Sequence, residues 1–152
     1  MSPGKISKRV VADRLNWINK MIKEIESLPL SNYETFTEDK RNIWSAESCL
    51  RRSLEALMDL GRHILAKGFG RGVSEYKEIG SVLEELAILG DRDSLRFKTL
   101  AGYRNRMVHF YHEITTKELY EICSSQLSDI EDVAGAIKRW INAHPEFVDG
   151  TL

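Results

Sequence analysis

Cysteine is scarce in this sequence. Cys49 and Cys123 are the two cysteines among 152 residues, far apart and without a CxxC neighbour, which excludes a disulfide framework and a thiolate zinc site. They read as small core residues in a reducing compartment. Proline is scarce as well, with three residues, so little interrupts long helices. No apolar run approaches the roughly 20 residues that cross a bilayer, and the opening MSPGKISKRVV lacks the apolar stretch of a signal peptide; the expectation is a soluble, cytoplasmic protein with no membrane partner. No segment alternates apolar and polar residues long enough for a sheet. An excess of positive charge is missing as well. The formal net charge is −1, which excludes a chain that coats nucleic acid by charge alone, because that affinity comes from many phosphates neutralised together.

What is present is helical periodicity. At 42% hydrophobic and 30% charged residues, the chain has enough apolar side chains for one core, and a single domain over residues 1–152 is expected. From Ser7 to Leu28 the residues Val11, Leu15, Ile18, Ile22 and Ile25 recur in steps of three and four, with Ser7 as cap and Pro29 as stop. After the loop SNYET, Thr35 and Glu38 have capping-box spacing. A long helix from about Glu38 to Lys67 carries Ile43, Leu50, Leu57 and Ile64, and GFGRG stops it. A third helix, from about Ser74 to Leu89, ends at Gly90. A shorter piece with Leu95, Phe97 and Leu100 leads to a break at Gly102, and a last helix runs from the Thr115 to Glu118 capping box to Pro145. The expectation is an all-α, up-and-down bundle of four to five helices with enough apolar surface to form a homodimer.

Charge is unevenly distributed. Between Arg92 and His112 stand Arg92, Arg96, Lys98, Arg104 and Arg106 against Asp93 alone, a basic patch suited to an anion. Within it, GYRNRMVHFYHEI (Gly102 to Ile114) is the densest group of polar and aromatic side chains. On a helix Asn105 and His109 share a face, while Arg104, five residues before His109, points well around the cylinder. An Arg near a helix start, or one from a second subunit, could still meet the imidazole. RNA suits such a pair, because its 2′-hydroxyl is an internal nucleophile that needs a proton acceptor, a cation over the phosphate and a proton donor. Histidine titrates near neutrality, and arginine grips phosphate with a planar fork.

The order Arg104, Asn105, Arg106, Met107, Val108, His109, Phe110, Tyr111 resembles the Arg, four residues, His, one residue, Tyr signature of the HepT-like toxins in the HEPN superfamily. The resemblance extends from RLNWINKMIKEIESL through ALMDLGRHIL to LSDIEDVAGAIKRWI, nearly the whole chain. It implies helical bundles that dimerise around a shared cleft, and a metal-independent endoribonuclease toxin without cofactors. His109 would handle the proton of the 2′-hydroxyl, Arg104 the scissile phosphate, and Asn105 would orient the site. Arg106, Arg96 and Lys98 would add RNA or phosphate contacts. Tyr111 corresponds to a tyrosine that a partner minimal nucleotidyltransferase antitoxin modifies with AMP, adding charge that repels RNA. Phe110 puts a large apolar ring where many relatives carry a polar residue, and Tyr103 stands where phenylalanine is frequent.

Other groups have plainer readings. His109, His112 and Glu113 lack HExxH spacing, so no metal site is expected. Asp59 and His63 read as a structural intrahelical pair, GFGRG as a connector without a P-loop's spacing, and Trp17, Trp44 and Trp140 as core or interface packing. Two other functions fit the residues. One is a noncatalytic nucleotide- or substrate-binding subunit of a two-component nucleotidyltransferase, and the other is a purely structural helical dimer.

Overall fold

The computed structural model describes residues 4–109 and 114–151. Helix α1 spans Lys8–Glu26. Ser7 caps it as expected, its hydroxyl accepting from the Val10 amide at 3.1 Å, and Val11, Ile18, Ile22 and Ile25 form the buried stripe. A short helix α2, Tyr33–Glu38, follows. The sequence puts a helix start at Thr35, but the Asn32 side chain accepts from the Thr35 amide at 3.0 Å, so Thr35 lies inside α2 and its box with Glu38 does not form. Asp39 caps the next helix, α3, Lys40–Phe69, through the Arg41 amide at 2.9 Å.

The three glycines of GFGRG act differently from one another. Gly68 stays helical and lets Ile6 pack close, since a Cβ there would stand 2.8 Å from the Ile6 side chain. Gly70 is the stop. Its φ of +66° is left-handed, its amide reaches Ala66 O at 3.1 Å and the Arg71 amide reaches Leu65 O at 2.9 Å, which closes the last turn of α3.

Helix α4, Tyr76–Glu85, ends before the expected Gly90. Ala87 takes the left-handed turn with φ +59°, letting the Ile88 and Leu89 amides both reach Leu83 O while their side chains enter the core. Helix α5, Asp91–His109, then runs unbroken through Gly102, contrary to the break expected there. Phe97 and Leu100, three apart, are buried, whereas Leu95, rotated about 200° from Phe97, is 66% exposed. The last expected helix divides into α6, Thr116–Ser125, and α7, Leu127–Ala143. Thr115 caps α6 through the Glu118 amide at 3.1 Å, and Gln126 marks the corner, where it accepts from the Tyr103 hydroxyl at 2.6 Å.

Among the described residues there are thus seven α-helices rather than four or five, the additions being α2 and the divided last segment. One parallel strand pair also forms, β1 (Ile6–Ser7) beside β2 (Val148–Asp149). Helix α3 is the axis of the core. Leu50, Leu54, Leu57, Met58, Leu60, Ile64 and Leu65 are each fully buried on it, against α1 most extensively and then α4, α6, α5 and α7. Each such side chain contributes about 1.5–3 kcal/mol of hydrophobic stabilisation. Of the tryptophans, Trp140 is buried beside Phe69 and Phe147. Trp17 and Trp44 lie at the surface of this chain instead of in its core, because they flank the apolar stripes of α1 and α3 rather than belong to them.

Candidate functional site

Two glycines and one serine bring α3, α4 and α5 close enough to share a site. A Cβ on Gly61 would stand 2.8 Å from Ile79, and one on Gly80 would stand 3.0 Å from Phe97. Ser94 is buried and donates to Gly80 O at 2.9 Å, tying the start of α5 to the middle of α4. The far half of α5 therefore lies against the start of α4, where Tyr76 is the first helical residue.

Arg104 reaches from α5 to α3. Its Nη2 donates to Glu55 Oε2 at 2.9 Å and its Nε to the same oxygen at 3.2 Å, and its side chain is 17% exposed. Glu55 is itself shared with Arg51, at 3.3 Å. The Arg104 guanidinium lies over the Tyr76 ring at 4.7 Å from its centre, a cation–π arrangement that fixes its plane. Its Nη1 is 3.5 Å from Asn105 Oδ1. Nη1 is the nitrogen that makes no bond to Glu55.

Arg104, Asn105 and His109 line one pocket of about 420 Å³ within a single chain. Residues that sequence geometry set apart around the helix thus line a common concavity, with the Arg104 guanidinium over Tyr76. His109 is the exposed last residue of α5. Arg62, Ser74, Glu75, Tyr76 and Lys77 complete the lining. None of these five stood out in the sequence. The available signal was their position around the GFGRG connector, where α3 and α4 turn back on each other.

The basic patch does not gather here. Arg106 grips Glu118 with both terminal nitrogens, at 2.7 and 2.9 Å, and that bond holds the Glu118 carboxyl below the usual carboxylate range. Arg96 faces Asp93 at 3.0 Å, with Asp129 and Asp132 at 3.6 and 3.7 Å. Lys98 lays its side chain along Gly80. The pocket's positive charge comes instead from Arg62, Lys77 and Arg104, one residue from each of three helices. Tyr111, Phe110, His112 and Glu113 lie outside the described residues.

Asp59 and His63 do not pair with each other. Asp59 stands 3.6 Å from Arg62, and His63 Nε2 accepts from the Ser7 amide at 3.0 Å, with neither His63 nor Ser7 in the pocket lining. Burial first, and the charges of Lys67 and Arg14 next, lower the His63 pKa. Cys123 is buried and its thiol is pushed up to about 12, chiefly by burial, so it is inert as a nucleophile. Among the described residues no three His, Cys, Asp or Glu side chains converge as a metal site would require, and no helix is long and apolar enough to cross a membrane.

A family model described as ribonuclease HepT-like matches residues 18–137. Several solved structures share the fold. A tri-AMPylated HEPN toxin of Shewanella oneidensis, in complex with an MNT antitoxin, superposes with a TM-score of 0.76 at 22% identity, covering 86% of this chain and 97% of the toxin. A toxin–antitoxin structure with AMP-PNP gives 0.75 at 21% identity over 84% and 97%. YutE, a cytosolic protein of unknown function from Bacillus subtilis, gives 0.79 at 16% identity over 96% and 98%. No curated protein matches this chain at comparable stringency.

Proposed function

The chain belongs to the ribonuclease HepT-like family, and from that premise we propose that it is a metal-independent endoribonuclease toxin whose Arg104 and His109 act on one phosphodiester. The observation that carries this reading is the shared pocket. Arg104, Asn105 and His109 line it together, and one guanidinium nitrogen of Arg104 is free of Glu55.

The chemistry needs a base, a cation over the phosphate and a general acid. His109 takes the proton from the 2′-hydroxyl as its oxygen bonds to phosphorus. The bond from phosphorus to the 5′-oxygen breaks, and that oxygen leaves with a proton from a general acid, giving a 2′,3′-cyclic phosphate and a 5′-hydroxyl. Arg104 stabilises the charge that builds on the phosphate oxygens, a contribution of a few kcal/mol in typical sites. Asn105 holds the guanidinium in line through its 3.5 Å contact. Two copies of the chain, with their α5 ends facing, would supply a second imidazole as that acid.

The relatives crystallised as toxin–antitoxin complexes support a nucleotidyltransferase antitoxin as partner, with Tyr111, two residues beyond His109, as the modified side chain. AMP attached there would bring negative charge next to the phosphate pocket and repel RNA. Expression of the protein should arrest growth, and either His109→Ala or co-expression of a cognate nucleotidyltransferase antitoxin should relieve the arrest. Arrest that persists unchanged with His109→Ala would sink the proposal. Tight nucleotide binding without cleavage, indifferent to His109→Ala and Arg104→Ala, would favour the noncatalytic subunit instead.

A further inference from the structure

The pocket holds more cation than one phosphate requires. Arg62 stacks on the Tyr76 ring with its guanidinium carbon 4.8 Å from the centre, while Arg104 stacks on the same ring at 4.7 Å. The two guanidiniums are therefore no further apart than those distances laid end to end, with one aromatic ring fixing the gap. Like charges held this close repel, and the nearby carboxylates offset them unequally: Glu75 lines the pocket but, among the described residues, pairs with neither guanidinium. Glu55 bonds Arg104 and divides its charge with Arg51, whereas Asp59 stands off from Arg62 at 3.6 Å with both partners substantially exposed.

Arg62 is also positioned in advance. Its Nε donates to Val73 O at 3.3 Å and its Nη2 to Ser74 O at 2.9 Å, which orients the fork before any ligand arrives and lowers the entropy lost on binding. Lys77, next to Tyr76, has no carboxylate at ion-pair distance among the described residues; its stem passes over Gly102, with Nζ 3.9 Å from where a Cβ would be. Arg62, Ser74, Glu75 and Lys77 line the same pocket as Arg104.

Building on the ribonuclease reading, we propose that Arg62 and Lys77, spaced from Arg104 by the Tyr76 ring, form a second phosphate subsite. It takes the phosphodiester adjacent to the one at Arg104, so the preferred substrate is a single-stranded ribo-oligonucleotide with at least two consecutive phosphates. The successive phosphates of one strand have the spacing that two cations around a single ring can bridge, and no base-specific contact is involved. Arg62 is a binding residue in this scheme, not a catalytic one.

The test is binding of fluorescent, uncleavable 2′-deoxy-substituted oligonucleotides carrying one or two phosphodiesters to the full-length protein. The two-phosphate ligand should bind about tenfold tighter or more, the usual worth of a charge-assisted contact. That gain should vanish in Arg62→Ala, return in part in Arg62→Lys, and shrink in Lys77→Ala, whose stem carries no backbone hydrogen bond. Equal affinity for the two ligands in the unaltered protein, or a gain that survives both alanine variants, would overturn the subsite. Should Arg62→Ala unfold by losing its carbonyl bonds, Lys77→Ala and Arg62→Lys decide alone. Cleavage of the corresponding all-ribo ligand separates the two ideas. A two-phosphate gain without cleavage keeps the subsite and rejects the ribonuclease; cleavage without the gain does the reverse.

Discussion

Arg104 and Arg106 are two residues apart and serve different ends. A helix turns about 200° between them, so Arg104 faces α3 and the pocket while Arg106 faces α6 and Glu118. His109→Ala should therefore lower RNA cleavage by about 10² or more and leave the melting temperature nearly unchanged, because the imidazole is exposed at the helix end. Arg106→Ala should do the opposite. Loss of a bidentate pair that is about one-third exposed on each side should cost about 1 kcal/mol after solvent screening, read as a lower Tm, with the KM for RNA little affected. The spacing of Arg104, Asn105 and His109 was legible in the sequence as a motif. The fate of Arg106 was not, since Glu118 lies 12 residues further along the chain and only the packing of α5 on α6 brings it near, whereas Arg96 pairs most closely with Asp93, three residues before it.

At the scale of elements, the site depends on how closely α3, α4 and α5 approach. Gly61 and Gly80 permit that approach. Gly61→Val would push a branched side chain into Ile79, Leu83 and Phe97, costing about 1–3 kcal/mol by overpacking, and it should lower activity along with stability by moving Tyr76 and Arg104 apart. Thermal unfolding and cleavage by the same sample check this. The long apolar stripes of α1 and α3, with Ser7 as a cap, could be read directly from the sequence because each is a local pattern. Helix ends were harder. Ala87 takes a left-handed turn that its residue type does not favour, since the burial of Ile88 and Leu89 compensates. Gly102 stays helical because α5 is held on both sides, and a helix interior tolerates one glycine at a cost of about 1 kcal/mol.

At the scale of the molecule, the chain's two ends are tied together on α3. The pairing of Ile6 with Val148 and Ser7 with Asp149 is fastened by the Ser7 amide on neutral His63. The sign of the pH dependence follows from the lowered His63 pKa. The bond stabilises fully above the ordinary histidine value of about 6.5 and is progressively lost as pH falls through the lowered folded value, because the unfolded chain takes up its proton first. Unfolding free energy measured by denaturant should thus decline below about pH 6.5 in the unaltered protein, and His63→Gln should flatten that part of the profile. This tie was not visible in the sequence, where Asp59 offered His63 a nearer partner at helical spacing. Asp59 goes to Arg62 instead, and Arg62 belongs to the pocket. Two consecutive residues of α3, Arg62 and His63, thereby serve the pocket and the tie between the chain ends.

The measurement that bears most directly on this account is cleavage of a single-stranded RNA by the purified protein with a chelator present, followed by analysis of the product ends. Products with 2′,3′-cyclic phosphate from the unaltered chain, and none from folded His109→Ala and Arg104→Ala, are the predicted result. Equal cleavage by the three proteins, or cleavage that stops when the chelator is added, would contradict it.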